Sequence, residues 1–66
     1  MKVIILNDEG HQEMMVEDQV KLDEIKEKNK DKWFFISDTG QKVAMNEVSL
    51  EHGIRELQII EPLIGG

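Results

Sequence analysis

Residues 3–17 read VIILNDEGHQEMMVE, and this stretch decides the fold because it predicts two strands joined by a tight turn. The first strand is the apolar run Val3-Ile4-Ile5-Leu6, whose β-branched residues are typical of a strand that is buried on both faces. The turn, residues 7–10, combines asparagine and aspartate with a glycine that can adopt positive φ. Met14 and Val16 share one face of the second strand. Strands this close in sequence should pair as an antiparallel hairpin.

One helix is predicted after this hairpin. Asp18 can cap its N-terminus by accepting a hydrogen bond from a backbone N–H group. Leu22, Ile25 and Asn29 then lie on one stripe, and Val20 is expected to anchor the helix entry. A stripe with so few apolar residues cannot stabilise an isolated helix, so we expect this helix to pack on a sheet.

The second half of the chain predicts further strands. Trp33-Phe34-Phe35-Ile36 contains every aromatic residue of the chain, and its alternation sends one pair of side chains into the core and the other pair away from it. The outer pair is either covered by neighbouring chain or exposed as an apolar docking patch, and the sequence leaves both readings open. After the turn Asp38-Thr39-Gly40, Lys42 to Met45 alternates as a half-buried strand. Ile54 to Glu61 reads as the last strand.

The order of these elements is β-β-α-β-β-β, with Val48–Gly53 as a short helical turn before the last strand. With the first and last strands adjacent and parallel, this order predicts an α+β fold of the β-grasp (ubiquitin-like) type. We expect a mixed sheet of four to five strands with one helix packed on one face. A ferredoxin-like fold would need a second full helix, and a small barrel is the other alternative. Residues 1–62 form the predicted domain, and residues 63–66 form a flexible di-glycine tail.

Composition restricts the function. The chain has 66 residues and a formal charge of −6, with 14 acidic and 8 basic residues and no cysteine. Disulfides, thiolate metal sites and a cysteine nucleophile are therefore excluded. The lysines of residues 21–32 alternate with acids, so nucleic-acid binding is not expected. No stretch approaches the ~20 apolar residues of a membrane span, and we expect a soluble, cytoplasmic carrier or binding module rather than an enzyme.

Residues 57–66 read LQIIEPLIGG, in which a strand runs into a proline, two aliphatic residues and Gly65-Gly66. This ending resembles that of the ThiS/MoaD family of ubiquitin-like sulfur carriers. Val48–Gly53 also resembles the block that precedes the last strand in that family, and the order of elements agrees over the whole chain. The resemblance is specific over roughly the last twenty residues.

This resemblance implies a mechanism. An adenylating enzyme of the ubiquitin-activating type would use ATP and magnesium to activate the carboxylate of Gly66, and sulfur transfer would convert it to a thiocarboxylate. Gly65 would keep the approach thin, because glycine has no Cβ. Leu63 and Ile64 would seat the tail in the partner, and Pro62 would stiffen its base. The sulfur acceptor would be a thiazole synthase, as in thiamine biosynthesis, or the large subunit of molybdopterin synthase.

Other interpretations stay open from the sequence. The same terminus could form isopeptide bonds in a ubiquitin-like modifier, or the domain could be a plain interaction module with an inert, frayed end. We expect no permanently bound cofactor and a monomeric free protein. Asp38-Thr39-Gly40 is predicted to be a hairpin turn rather than a protease triplet, and His11 and His52 are predicted to be exposed loop residues rather than metal ligands.

Overall fold

The hairpin at the start of the chain forms as predicted, and the rest of the sheet assembles beside it. A computed structural model describes residues 1–62. The strands are β1 (Lys2–Asn7), β2 (Gly10–Met15), β3 (Trp33–Ile36), β4 (Gln41–Val43) and β5 (Glu56–Ile60), the helix is α1 (Gln19–Lys28), and two single 3₁₀ turns cover Met45–Glu47 and Leu50–His52.

The five strands form one mixed sheet in the order β2-β1-β5-β3-β4. The central pair, β1 and β5, is parallel, and the other neighbours are antiparallel. Parallel strands cannot be joined by a tight turn. A longer stretch of chain therefore separates β1 from β5 and contains α1, β3 and β4. With one helix packed on one face, this is an α+β protein with a β-grasp-like fold.

The core lies between α1 and the sheet. Alternation along each strand sends every second side chain towards the helix. Leu57 and Ile59 of β5 are fully buried there, as is Val3 of β1. The buried apolar side chains of the described residues are Val3, Val16, Leu22, Ile25, Phe34, Val43, Val48, Leu57 and Ile59.

Helix α1 begins and packs as the sequence predicts, with one exception. The carboxylate of Asp18 accepts a hydrogen bond from the backbone N–H of Val20 at 3.0 Å. Leu22, Ile25 and Asn29 are all buried against the sheet, and the Asn29 side-chain amide donates to the Ile25 carbonyl at 2.8 Å. The prediction that Val20 anchors the helix entry is wrong, because its side chain is 64% exposed. Two residues turn a helix by about 200°, so Val20 lies opposite Leu22.

Hydrogen bonds connect the segment between β4 and β5 to α1. The Lys26 ammonium donates to the Val48 carbonyl at 2.8 Å, and the backbone N–H of Leu50 donates to the Gln19 side-chain oxygen at 3.0 Å. The second 3₁₀ turn ends at Gly53, whose φ of 68° lies in the left-handed region that glycine adopts without strain. These contacts place the start of β5 beside β1.

Two strand predictions need correction. Strand β4 ends at Val43 and does not continue to Met45, because a 3₁₀ turn begins at Met45, although Met45 still packs against the core. The prediction that β1 is buried on both faces is also wrong. Ile4 and Leu6, on the face away from α1, are only half-buried, since no second layer covers that face within residues 1–62.

Candidate functional site

Strand β5 leads to Pro62, the last residue that the structure describes. It lies between β1 and β3, and it runs in the same direction as β1. The last contact of this ladder is the N–H of Glu61, which donates to the Leu6 carbonyl at 3.3 Å. Pro62 follows directly, and it has no N–H with which to extend the ladder. Within residues 1–62, strand pairing therefore ends at Glu61.

Pro62 is the last residue that the structure describes, so the predicted boundary between domain and tail stays a prediction. Pro62 is half-buried and, with Glu61, borders a shallow depression of about 220 Å³ beside the C-terminal end of α1. Lys28 and Lys32 line the same depression. The other predicted site residues, Leu63, Ile64, Gly65 and Gly66, lie outside the described residues.

An apolar surface lies next to the C-terminal end of β5, on the sheet face that α1 leaves uncovered. We call it the open-face patch, and it consists of Ile4, Leu6, Trp33, Phe35 and Ile60. Strand alternation brings these side chains together, because each one neighbours a core residue along its own strand.

The open-face patch has two rows across the sheet. In one row, Leu6 pairs with Ile60 and Ile60 pairs with Trp33, so three apolar side chains cross three strands without interruption. In the other row, Gln58 separates Ile4 from Phe35. The uninterrupted row is the one at the C-terminal end of β5.

The aromatic residues of the patch are held in place by their neighbours. The rings of Trp33 and Phe35 meet edge to face, with centroids 6.3 Å apart. The Lys42 ammonium lies 4.5 Å from the centroid of the Trp33 ring, within the range of a cation–π contact. Trp33 still exposes 45% of its surface. Of the two sequence readings of the outer aromatic pair, the structure supports an exposed apolar patch.

Charged side chains border the patch on the β2 side. The Lys2 ammonium lies 3.3 Å from Glu13 and 3.8 Å from Glu56, and all three side chains are partly exposed. His11 neighbours Leu6 across the β1–β2 ladder. An apolar centre with a polar rim is the usual anatomy of a protein-binding surface. This arrangement suits docking, and it supplies no acid–base or nucleophilic pair.

The remaining sequence candidates do not form a site. Asp38-Thr39-Gly40 is a turn, in which the Gly40 N–H donates to the Ile36 carbonyl at 2.7 Å. His52 is exposed, as predicted, and His11 is exposed but lies in β2 rather than in a loop. Within residues 1–62, no cluster of histidine and carboxylate side chains is arranged to hold a metal ion. The single helix in this part of the chain is too short and too polar to cross a bilayer.

Sequence reasoning found part of the open-face patch. The alternation of residues 33–36 predicted that one pair of these side chains faces away from the core without saying which pair, and the contributions of Ile4, Leu6 and Ile60 were missed. The sequence offered a way to find them. Residues that pair across neighbouring strands have their side chains on the same face of the sheet, so pairing the first and last strands in parallel also assigns their outward residues.

No family model matches the sequence, and neither a curated protein nor a solved structure matches it. The resemblance to the sulfur carriers therefore stays a prediction. It is based on the ending of the chain and on the order of its elements.

Proposed function

We propose that this protein is a sulfur carrier, in which the carboxylate of Gly66 is the reacting group. The observation that supports this proposal best is the position of Pro62 directly beyond the last ladder contact of the central strand. Residues Leu63-Ile64-Gly65-Gly66 follow Pro62 in the sequence. The proposal requires that Gly66 carry a free carboxylate in the cell, either as the encoded terminus or after processing.

The chemistry has two steps, both performed by partner enzymes. A carboxylate is a poor electrophile, so an adenylating enzyme first joins a Gly66 oxygen to the α-phosphate of ATP and releases pyrophosphate, with magnesium bound to the nucleotide. A hydrosulfide equivalent then attacks the carbonyl carbon. The new C–S bond replaces the C–O bond to AMP, which leaves with the former carboxylate oxygen. The product is a thiocarboxylate, and this chain contributes the carbonyl rather than a catalytic group.

The open-face patch is the proposed docking surface for the adenylating enzyme. Its uninterrupted row, Leu6, Ile60 and Trp33, lies at the same end of the sheet as Pro62. A partner that covers this row also lies beside the start of the tail and can bind Leu63 and Ile64 in an apolar channel. Part of the binding energy then offsets the entropy lost when the tail is ordered.

The acceptor enzyme in this proposal is a thiazole synthase or the large subunit of molybdopterin synthase. The free protein is proposed to be a cytoplasmic monomer with no bound cofactor, no catalytic activity of its own and no nucleic-acid or membrane partner. The acidic net charge of −6 favours a partner with a basic docking surface through long-range attraction.

The test is reconstitution with intact-mass analysis. The full chain is incubated with the adenylating enzyme encoded in the same genome, ATP, magnesium and a sulfide source. We expect one oxygen of the chain to be replaced by sulfur, and we expect no replacement when Gly65 and Gly66 are deleted. A matched variant that replaces exposed Gln41 by alanine should load like the wild type.

Three results would overturn this proposal. The first is an unchanged mass under conditions in which the adenylating enzyme consumes ATP with its own known carrier. The second is isolation from cells of isopeptide adducts that carry a Gly-Gly remnant on lysine, which would instead identify a ubiquitin-like modifier. The third is a partner complex that forms equally well and functions without Gly65 and Gly66, which would identify an interaction module.

A further inference from the structure

Strand β2 presents a row of backbone groups that no strand of residues 1–62 occupies. The N-terminal ammonium of Met1 donates to the Val16 carbonyl at 2.9 Å, and the Val16 N–H donates back to the Met1 carbonyl at 2.8 Å. In an antiparallel ladder such doubly bonded pairs alternate with unbonded pairs. The register then directs the N–H and C=O groups of His11, Glu13 and Met15 away from β1.

This edge has little of the protection that edge strands usually carry. Proteins block such edges with lysine, proline, bulges or very short strands. None of the six residues of β2 is lysine or proline, and Glu13 is its only acidic residue. The opposite edge strand, β4, is shorter, with three residues, and it carries Lys42 at its centre.

A groove runs along the helix side of the same edge. It has a volume of about 260 Å³ and separates β2 from α1. Ile5, Met14 and Ile25 contribute the apolar part of its lining. Lys21 and Lys28 border it from the helix, together with Glu24. The lysines in the described ion pairs are Lys2, Lys26 and Lys30, so neither groove lysine is engaged there.

We propose that this edge and groove bind an extended segment of another protein, which adds to the sheet as a sixth strand. Its backbone would pair with His11, Glu13 and Met15. Alternate side chains of a strand point to one face, so every second residue would enter the groove and should be aliphatic. An acidic residue beside them would meet Lys21 and Lys28. The inference does not depend on the proposed function, because it involves neither the tail nor the open-face patch.

A second copy of this chain is a poor occupant of the edge. The antiparallel register that pairs all three outward residues of two copies places Glu13 directly opposite its own symmetry mate. Like charges directly opposite each other destabilise a strand pair. A foreign strand with an uncharged residue at that position avoids the repulsion, which favours a heterologous partner.

The experiment uses the full chain and a synthetic peptide of about six residues, the length of an average strand. Valine and isoleucine occupy alternate positions, threonine lies between them, and aspartate stands at each end. Backbone amide NMR and hydrogen exchange are recorded during titration. We expect shifts along β2, and slowed exchange at the N–H groups of His11, Glu13 and Met15. The N–H groups of Gln12 and Met14, which already bond to β1, should change little.

Two pairs of variants locate the interaction. Glu13→Pro removes an outward donor and should abolish the peptide-induced protection, whereas Glu13→Ala loses the same carboxylate, keeps the N–H and should still bind. Lys21→Glu should weaken binding about two- to fivefold, which is the range of an exposed charge pair. Lys30→Glu changes the net charge equally outside the groove and should have no such effect.

Melting curves of all four variants establish that each is folded before binding is compared. Protection confined to β2, lost in Glu13→Pro and kept in Glu13→Ala, supports the inference. No binding at millimolar peptide, protection at β4 instead, or a concentration-dependent homodimer through β2 would each overturn it.

Discussion

The two faces of the sheet are built from the same strands but differ in how far their side chains are buried. On the covered face, Val3, Leu57 and Ile59 are fully buried beneath α1. On the open face, their neighbours Ile4, Ile60 and Gln58 are half-buried and reach solvent. In a domain this small the apolar residues suffice for one well-packed core, and the proposal assigns the second apolar surface to binding rather than to stability. The comparison predicts that the two faces respond differently to substitution.

The largest effect is expected on the covered face. Leu57→Ala removes a fully buried side chain from the central strand and should lower the free energy of unfolding by about 2–5 kcal/mol. For a domain of this size that is a large part of the total stability. Gln58→Ala, its neighbour on the open face, should cost less than about 1 kcal/mol. Urea titrations followed by fluorescence of Trp33 measure both, and equal losses would contradict the distinction between the faces.

The next effect is expected in binding. Trp33→Ala removes the most exposed aromatic residue of the open-face patch and should weaken binding to the adenylating enzyme about thirtyfold or more, which is the loss expected at an interface hot spot. Trp33→Phe should restore part of the affinity. Titration calorimetry gives the dissociation constants, and thermal melting checks that the fold is kept. An unchanged affinity for Trp33→Ala would remove the open face from the docking proposal.

A smaller effect is expected at the end of α1. Asn29→Ala deletes the buried amide that donates to the Ile25 carbonyl and should lower the free energy of unfolding by about 1 kcal/mol. Asn46→Ala, at an exposed asparagine in the first 3₁₀ turn, is the matched control and should stay within about 0.5 kcal/mol of the wild type. Denaturant midpoints distinguish the two variants, and a reversed order would contradict the role of the Asn29 side chain.

The smallest effect is expected from a comparison of two serines. The buried hydroxyl of Ser37 has no hydrogen-bond partner within residues 1–62, so Ser37→Ala should be neutral within about 0.5 kcal/mol. The hydroxyl of Ser49 accepts from the Glu51 N–H and caps the second 3₁₀ turn, so Ser49→Ala should cost about 0.5–1 kcal/mol. Melting temperatures compared in one buffer suffice, and a larger loss for Ser37→Ala would reveal a partner for its hydroxyl.

The sequence was most informative where local chemistry and periodicity agree. Asp18 as a helix cap and the buried stripe of Leu22, Ile25 and Asn29 are predictable from residue type and spacing, whereas the parallel pairing of the first and last strands entered only as a condition of the β-grasp arrangement. The errors have one physical cause. Apolar identity does not reveal whether a second layer covers a strand, so the sequence predicts burial of β1 on both faces, whereas Ile4 and Leu6 are only half-buried.

The candidate site was predictable in part for a related reason. The row formed by Leu6, Ile60 and Trp33 joins residues from both ends and the middle of the chain. No local pattern contains all three, and only the strand order brings them together. The identity of the β2 residues whose backbone groups point away from β1 likewise follows from the alternation of bonded and unbonded pairs in the ladder. The hydrogen bonds between Met1 and Val16 define this alternation, and they are visible only in atomic positions.

The most direct test of the carrier proposal is the intact mass of the protein isolated from its host under conditions that preserve thiocarboxylates. The proposal predicts a chain that ends at Gly66, with a fraction in which one terminal oxygen is replaced by sulfur. A chain that continues beyond Gly66 in every isolated form, or one that ends there and never carries sulfur in cells that make the sulfur-containing product, would contradict it.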